Sequence, residues 1–172
     1  MLIGLVNGDG ELIRQIQFPT LPEQGTDSIL MRILEALLLL QKAAKDDGGR
    51  VRGIGIACTG VINSKTNSIV YSRNLGWRNM AIGEFIFKEL GLPVRLGNDA
   101  NLAAVAEYVW GTQERVEDLI YITVSTGVGA GIICGGQLVT GVSESALQLL
   151  YLNNSFPDNH NFHTNIVAHQ YS

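Results

Sequence analysis

Leu96-Gly97-Asn98-Asp99-Ala100-Asn101 is the stretch on which the reading of this chain turns. The apolar residues just before it have strand character. The run after it, with Ala103, Ala104 and Ala106, has helix character through Trp110, and Gly111 closes it. A carboxylate and two carboxamides therefore stand where a strand runs into a helix. In open α/β sheets, ligands bind outside the carboxyl ends of strands. The free amides of a helix start favour an ionised carboxylate. Asp99 at such a mouth can take a proton from a hydroxyl as that hydroxyl attacks phosphorus. Asn98 both donates and accepts, which suits neighbouring sugar hydroxyls. Taken alone, Asn-Asp before an alanine-rich helix is also ordinary capping.

A second stretch gives the pair company: Thr123-Val124-Ser125-Thr126-Gly127-Val128-Gly129-Ala130-Gly131. It reads as strand-turn-strand. A dinucleotide fingerprint or P-loop would need strand-turn-helix, and the P-loop lysine is missing as well. Glycines let backbone N–H groups approach phosphate oxygens, and Thr126 adds a hydroxyl donor. Ser125, Thr126, Gly127, Gly129 and Gly131 are thus candidates to hold a phosphate, with a plain glycine-rich hairpin as the alternative. A carboxylate for a sugar hydroxyl and a glycine turn for a phosphate together suggest phosphoryl transfer to a sugar.

The surroundings fit an α/β protein. The hydrophobic fraction is 46% and the charged fraction 16%, as in a globular chain. The net charge of -4 argues against a nucleic-acid surface. The start lacks the basic region of a signal peptide, and Leu37-Leu38-Leu39-Leu40 is far too short to span a bilayer. No membrane partner is expected, and a cytoplasmic location is. Cys58 and Cys134 read as two reduced, buried thiols, without the CxxC pair of a thiolate zinc site. Asn7-Gly8-Asp9-Gly10 predicts a hairpin between strands over 2–6 and 12–18, stopped by Pro19 and Pro22. A helix capped by Thr26 or Asp27 follows. Its stripe is Ile29, Ile33 and Leu37, with Leu30, Leu34 and Leu38 beside it, and Gly48-Gly49 ends it. A buried strand over 51–57 runs into Cys58-Thr59-Gly60. Then come a short strand over 68–71, a helix over 81–90 ended by Gly91, a strand over 93–96, and strands over 119–124 and 131–134. Gly135-Gly136 predicts a further hairpin. From Ser143 the chain turns rich in asparagine, with His160, His163 and His169, and reads as a loosely ordered tail rather than a metal cluster. No metal site is expected.

The order of these pieces carries a resemblance. Gly53-Ile54-Gly55-Ile56-Ala57-Cys58-Thr59-Gly60-Val61-Ile62-Asn63, then Asn74-Leu75-Gly76-Trp77, then Asn98-Asp99-Ala100-Asn101, then residues 125–131 resemble the ROK family of sugar kinases and repressors. The resemblance runs from the first hairpin to about Gly141. It implies an α/β, actin-like (ribonuclease H-like) ATPase fold, a mixed sheet flanked by helices. Residues 1–112 would be a first lobe lacking its first strand, 113–141 the opening strands of a second, and 142–172 a divergent tail. It implies Asp99 as catalytic base, and Asn98, Asn74 and Gly60 at the sugar site. Ser125, Thr126, Gly127, Gly129 and Gly131 would hold the nucleotide phosphates. The implied reaction is transfer from ATP, with Mg2+, to the 6-hydroxyl of a hexose, glucose first, in a homodimer. The family's opening Asp-x-Gly-Gly-Thr loop, its Gly-Glu-x-Gly-His motif and its cysteine-rich zinc motif have no counterpart here, so the chain reads as truncated at both ends. An isolated chain of this kind is expected to be inactive. An inactive fragment or binding module, and the sugar-sensing part of a repressor, are the alternatives.

Overall fold

The structure is a computed structural model. It describes residues 1–112, 116–124 and 128–140, and the backbone of 166–170. The chain divides into two compact units. Met1–Ile56 and Lys65–Arg95 form the first, and Ala57–Ser64 with Leu96–Ser172 the second.

The first unit opens with the expected hairpin. β1 (Leu2–Val6) pairs antiparallel with β2 (Leu12–Gln17), Leu2 opposite Gln17 and Val6 opposite Leu12. Asn7 makes the turn, its Oδ1 accepting from the N–H groups of Asp9 at 3.0 Å and Glu11 at 2.9 Å. α1 (Thr26–Asp46) packs on this hairpin. Neither Thr26 nor Asp27 caps it. Both already lie inside the helix, and Gly25, at φ 85°, holds the cap position with no side-chain bond. Its carbonyl takes the first helical bond, from Ile29 N–H at 3.3 Å. The buried positions are Ile29, Leu30, Leu34, Ala36, Leu40 and Ala44. Leu38, expected on the inner stripe, is exposed. A helix this apolar offers several stripes, and docking on the hairpin selects one. Gly48 and Gly49 end the helix as expected, with Gly49 N–H on Ala44 O at 2.8 Å.

β5 (Ser68–Ser72) and β6 (Trp77–Met80) form a second hairpin, with Ile69, Ser72 and Trp77 buried. α2 (Ile82–Leu90) packs on β5 and is stopped by left-handed Gly91. β3 (Ile54–Cys58) pairs with β7 (Val94–Asn98), from the Ile54 N–H to Pro93 carbonyl bond of 2.9 Å onward. β3 starts later than expected and is half-buried rather than buried. β4 (Val61–Asn63) follows it.

In the second unit, α3 (Asp99–Ala106) packs on β8 (Leu119–Val124) and β9 (Val128–Cys134). The helix expected to reach Trp110 uniformly widens after Ala106 into a π turn over Glu107–Gly111, closed by Thr112 N–H on Glu107 O at 2.9 Å. The strand order is β10-β9-β8-β11, where β10 is Gln137–Leu138 and β11 is Ile166–Gln170. β8 and β9 are antiparallel, with Val124 opposite Val128. β11 runs parallel to β8, so the sheet is mixed. Gly135 and Gly136, at φ 56° and 75°, make the expected two-residue turn. Ala104, Leu119, Tyr121 and Ile133 form the core. The thiols are less buried than expected: Cys58 is half-buried, and Cys134 is exposed at the end of β9.

Candidate functional site

The end of β7 becomes the start of α3 through one side chain. Asn98 is the N-cap, extended at φ -68° and ψ 140°, and its Oδ1 accepts from Asn101 N–H at 3.1 Å. Its Nδ2 donates to the carbonyl of Gly60 at 3.2 Å. Gly60 has φ 109°, a conformation that glycine alone adopts without strain. The capping role and the candidate binding role therefore coexist in Asn98. A carboxamide has two donor hydrogens and two acceptor lone pairs, so one of each stays available.

Asp99 is the first residue of α3 and is half-buried. Its Oδ1 accepts from Ala100 N–H at 3.0 Å. Its Oδ2 has no partner among the described residues. Cys58, at the end of β3, lies within electrostatic reach of it. Burial first, and the Asp99 charge second, push the Cys58 thiol up to about 11. The thiol therefore stays protonated at neutral pH, its weakly nucleophilic form.

Two glycines seat the helix. A Cβ on Gly131 would stand 2.6 Å from the Ala104 Cβ and 2.7 Å from the Ala100 carbonyl. One on Gly129 would stand 3.3 Å from the Ala100 Cβ. Both lie inside β9, under α3, rather than in the turn. The close approach brings the Asp99 end of α3 over the beginning of β9. Ser125, Thr126 and Gly127 lie outside the described residues.

Asn98, Asp99 and Gly60 are thus brought together in the second unit. Asn74 belongs to the first, exposed in the turn between β5 and β6. Trp77 is buried, consistent with packing rather than a sugar platform. Asn101, the last residue of the Asn98–Asn101 stretch, has no role assigned by the sequence. It is 5% exposed, and its Oδ1 has no hydrogen-bond partner among the described residues. The signal available was an asparagine inside an alanine-rich helix, a poor helix former there. Among the described residues, no three His, Cys, Asp or Glu side chains gather as a metal set.

The profile of the ROK family matches residues 1–146. The chain belongs to the ROK family. It is 32% identical over 137 residues to a glucokinase of Halalkalibacterium halodurans, covering 80% of this chain and 42% of that protein. It is 33% identical over 131 residues to a xylose repressor of Caldicellulosiruptor bescii, covering 75% of this chain and 33% of that one. The crystal structure of a ROK family glucokinase from Streptomyces griseus, in complex with glucose and AMPPNP, superposes with a TM-score of 0.74 at 30% identity. That match covers 88% of this chain and 46% of that one. This ROK chain spans less than half the length of these relatives. Its fold class is that of its structural neighbours, the actin-like ATPase fold, with α/β elements and a mixed sheet. Among the described residues, no helix is long and apolar enough to cross a membrane.

Proposed function

We propose that this chain carries the sugar-binding and base-bearing part of a ROK sugar kinase, which phosphorylates a hexose, glucose first, at its 6-hydroxyl with ATP. The observation that supports this best is the pairing of Asp99, whose Oδ2 is uncommitted, with Asn98, which keeps one donor and one acceptor. Asn98 and the Gly60 corner orient the sugar. The Asp99 carboxylate receives the hydroxyl proton as the oxygen attacks the terminal phosphorus of ATP. Ser125, Thr126 and Gly127 hold phosphate oxygens. Gly129 and Gly131 serve the same loop by letting α3 close on β9. Mg2+, when bound with the nucleotide, would neutralise phosphate charge. A site with one carboxylate and no gathered ligand set fits an ion held largely by phosphates and water. Two free cysteines fit a reducing cytoplasm, and a second copy of the chain is the expected partner.

The similarity to a xylose repressor favours a second reading, a sugar-sensing module that binds without turnover. Titration of the purified chain with glucose, followed by coupled ATP turnover, separates the two. The kinase reading expects glucose binding that Asn98→Ala abolishes. Its turnover is expected only once a relative supplies the remaining length of the enzyme. Binding that never leads to turnover in that setting selects the sensor, and no glucose binding contradicts both.

A further inference from the structure

Among the described residues of the second unit, the Asn101 carboxamide is the most costly unexplained group. It is 5% exposed, and its Oδ1 is sealed from solvent with no hydrogen-bond partner among the described residues. A buried acceptor left unpaired is destabilising, and an apolar side chain of the same size would not be. Asn101 is also fixed in place. Its backbone N–H is held by Asn98 Oδ1 at 3.1 Å, and its Cα lies 3.0 Å from where a Gly131 Cβ would stand. Helical side chains lean toward the helix start, so the carboxamide leans toward the turn that carries Asn98 and Asp99. The cost is therefore sustained beside the candidate sugar site and on the same first turn.

We infer that Asn101 is a positioning residue of the sugar site, whose carboxamide oxygen is unpaired in the ligand-free chain and takes up an O–H donor when a sugar fills the site. This rests on the sugar-site reading above. The donor is a hydroxyl of the sugar or a water fixed by it. Asn98, already spending one donor on Gly60 and one acceptor on Asn101, gains a neighbour that completes the polar wall. The arrangement exchanges fold stability for ligand recognition, as binding sites commonly do.

The test measures thermal unfolding and glucose affinity for the full chain and for Asn101→Leu, which keeps the branched shape and removes the amide. The expected result is opposed changes: a higher unfolding temperature without sugar, and glucose binding weakened at least tenfold. A merely structural asparagine cannot produce that opposition. Higher stability with unchanged affinity overturns the inference and leaves the sugar site standing. Stability and affinity falling together assign Asn101 to the fold and overturn it too. If leucine does not fold, Asn101→Ala must still show the tenfold loss of affinity. Should the unmodified chain fail to bind glucose, the sugar-site reading and this inference fall together. With 1-, 2-, 3-, 4- and 6-deoxyglucose as probes, a direct hydroxyl bond makes the unmodified chain and the leucine variant bind one of the five equally. A bridging water leaves the difference intact throughout the series.

Discussion

Gly131 lies against Ala104 so closely that a Cβ on the glycine would meet the alanine Cβ at 2.6 Å. The contact is between a strand and the helix that carries Asp99. It explains why glycines stand two apart in β9, at 129 and 131, and why alanines recur along α3. The neighbours that a larger residue would strike include the Ala100 carbonyl, which cannot move without moving the helix.

Gly131→Ala should therefore destabilise the chain by about 1–3 kcal/mol through overpacking. Gly129→Ala, whose nearest contacts are side-chain methyls at 3.2 and 3.3 Å, should cost less. Urea unfolding of the two variants gives the comparison. Equal midpoints for Gly131→Ala and the unmodified chain would show that α3 does not depend on this contact.

Asn98→Ala should lose the N-cap of α3, worth about 1 kcal/mol, and the tie to Gly60. Glucose binding should disappear with it. Asn98→Ser keeps a capping oxygen but has no donor to reach Gly60. It should recover most of the stability and little of the affinity. Recovery of both would mean that the Gly60 bond contributes nothing to the site.

The Cys58 thiol makes stability depend on alkaline pH. Its folded pKa of about 11 stands above its ordinary value of 9.0. The neutral thiol is the form that the fold prefers. The full contribution is present below pH 9 and is lost as the pH rises from 9 to 11, on the order of 2 kcal/mol in all. Denaturation at pH 8 and pH 11 should show a larger loss for the unmodified chain than for Cys58→Ala. Asp99→Asn removes the lesser of the two causes, so iodoacetamide should label Cys58 faster in that variant at pH 8.

The β1–β2 hairpin has exposed apolar side chains: Leu2 at 62%, Val6 at 53% and Leu12 at 56%. β1 has no strand on its other edge among the described residues. Open apolar edges of this kind associate. Sedimentation velocity should show self-association that rises with concentration, and Leu2→Lys with Val6→Lys should reduce it. A chain that stays monomeric at high concentration would contradict this.

The hairpins and stops of this chain were legible because their chemistry is local. Asn7 folds its own turn, and Gly91, Gly135 and Gly136 adopt conformations other residues avoid. The Asn98–Asp99 strand-to-helix junction was legible for the same reason. What the sequence did not reveal depends on partners far along the chain. Leu38 and Leu30 look alike until the hairpin chooses the face of α1. Thr26 looks like a cap until Gly25 takes that position. Gly129 and Gly131 read as phosphate-loop glycines, and only the approach of α3 shows them seating a helix. An asparagine inside an alanine-rich helix is a weak signal, and it does not separate Asn101, with its buried oxygen unpaired among the described residues, from an asparagine facing water.

The central claim is that Asp99 takes the proton from the sugar hydroxyl. The most direct measurement is ATP turnover by a hybrid in which residues 1–140 of this chain replace the matching segment of the Halalkalibacterium halodurans glucokinase, with and without Asp99→Asn. Loss of a general base predicts a fall in kcat of about 10²–10⁴-fold, with the glucose KM within a few-fold of its starting value. Near-normal kcat, or a loss confined to KM, would contradict the account.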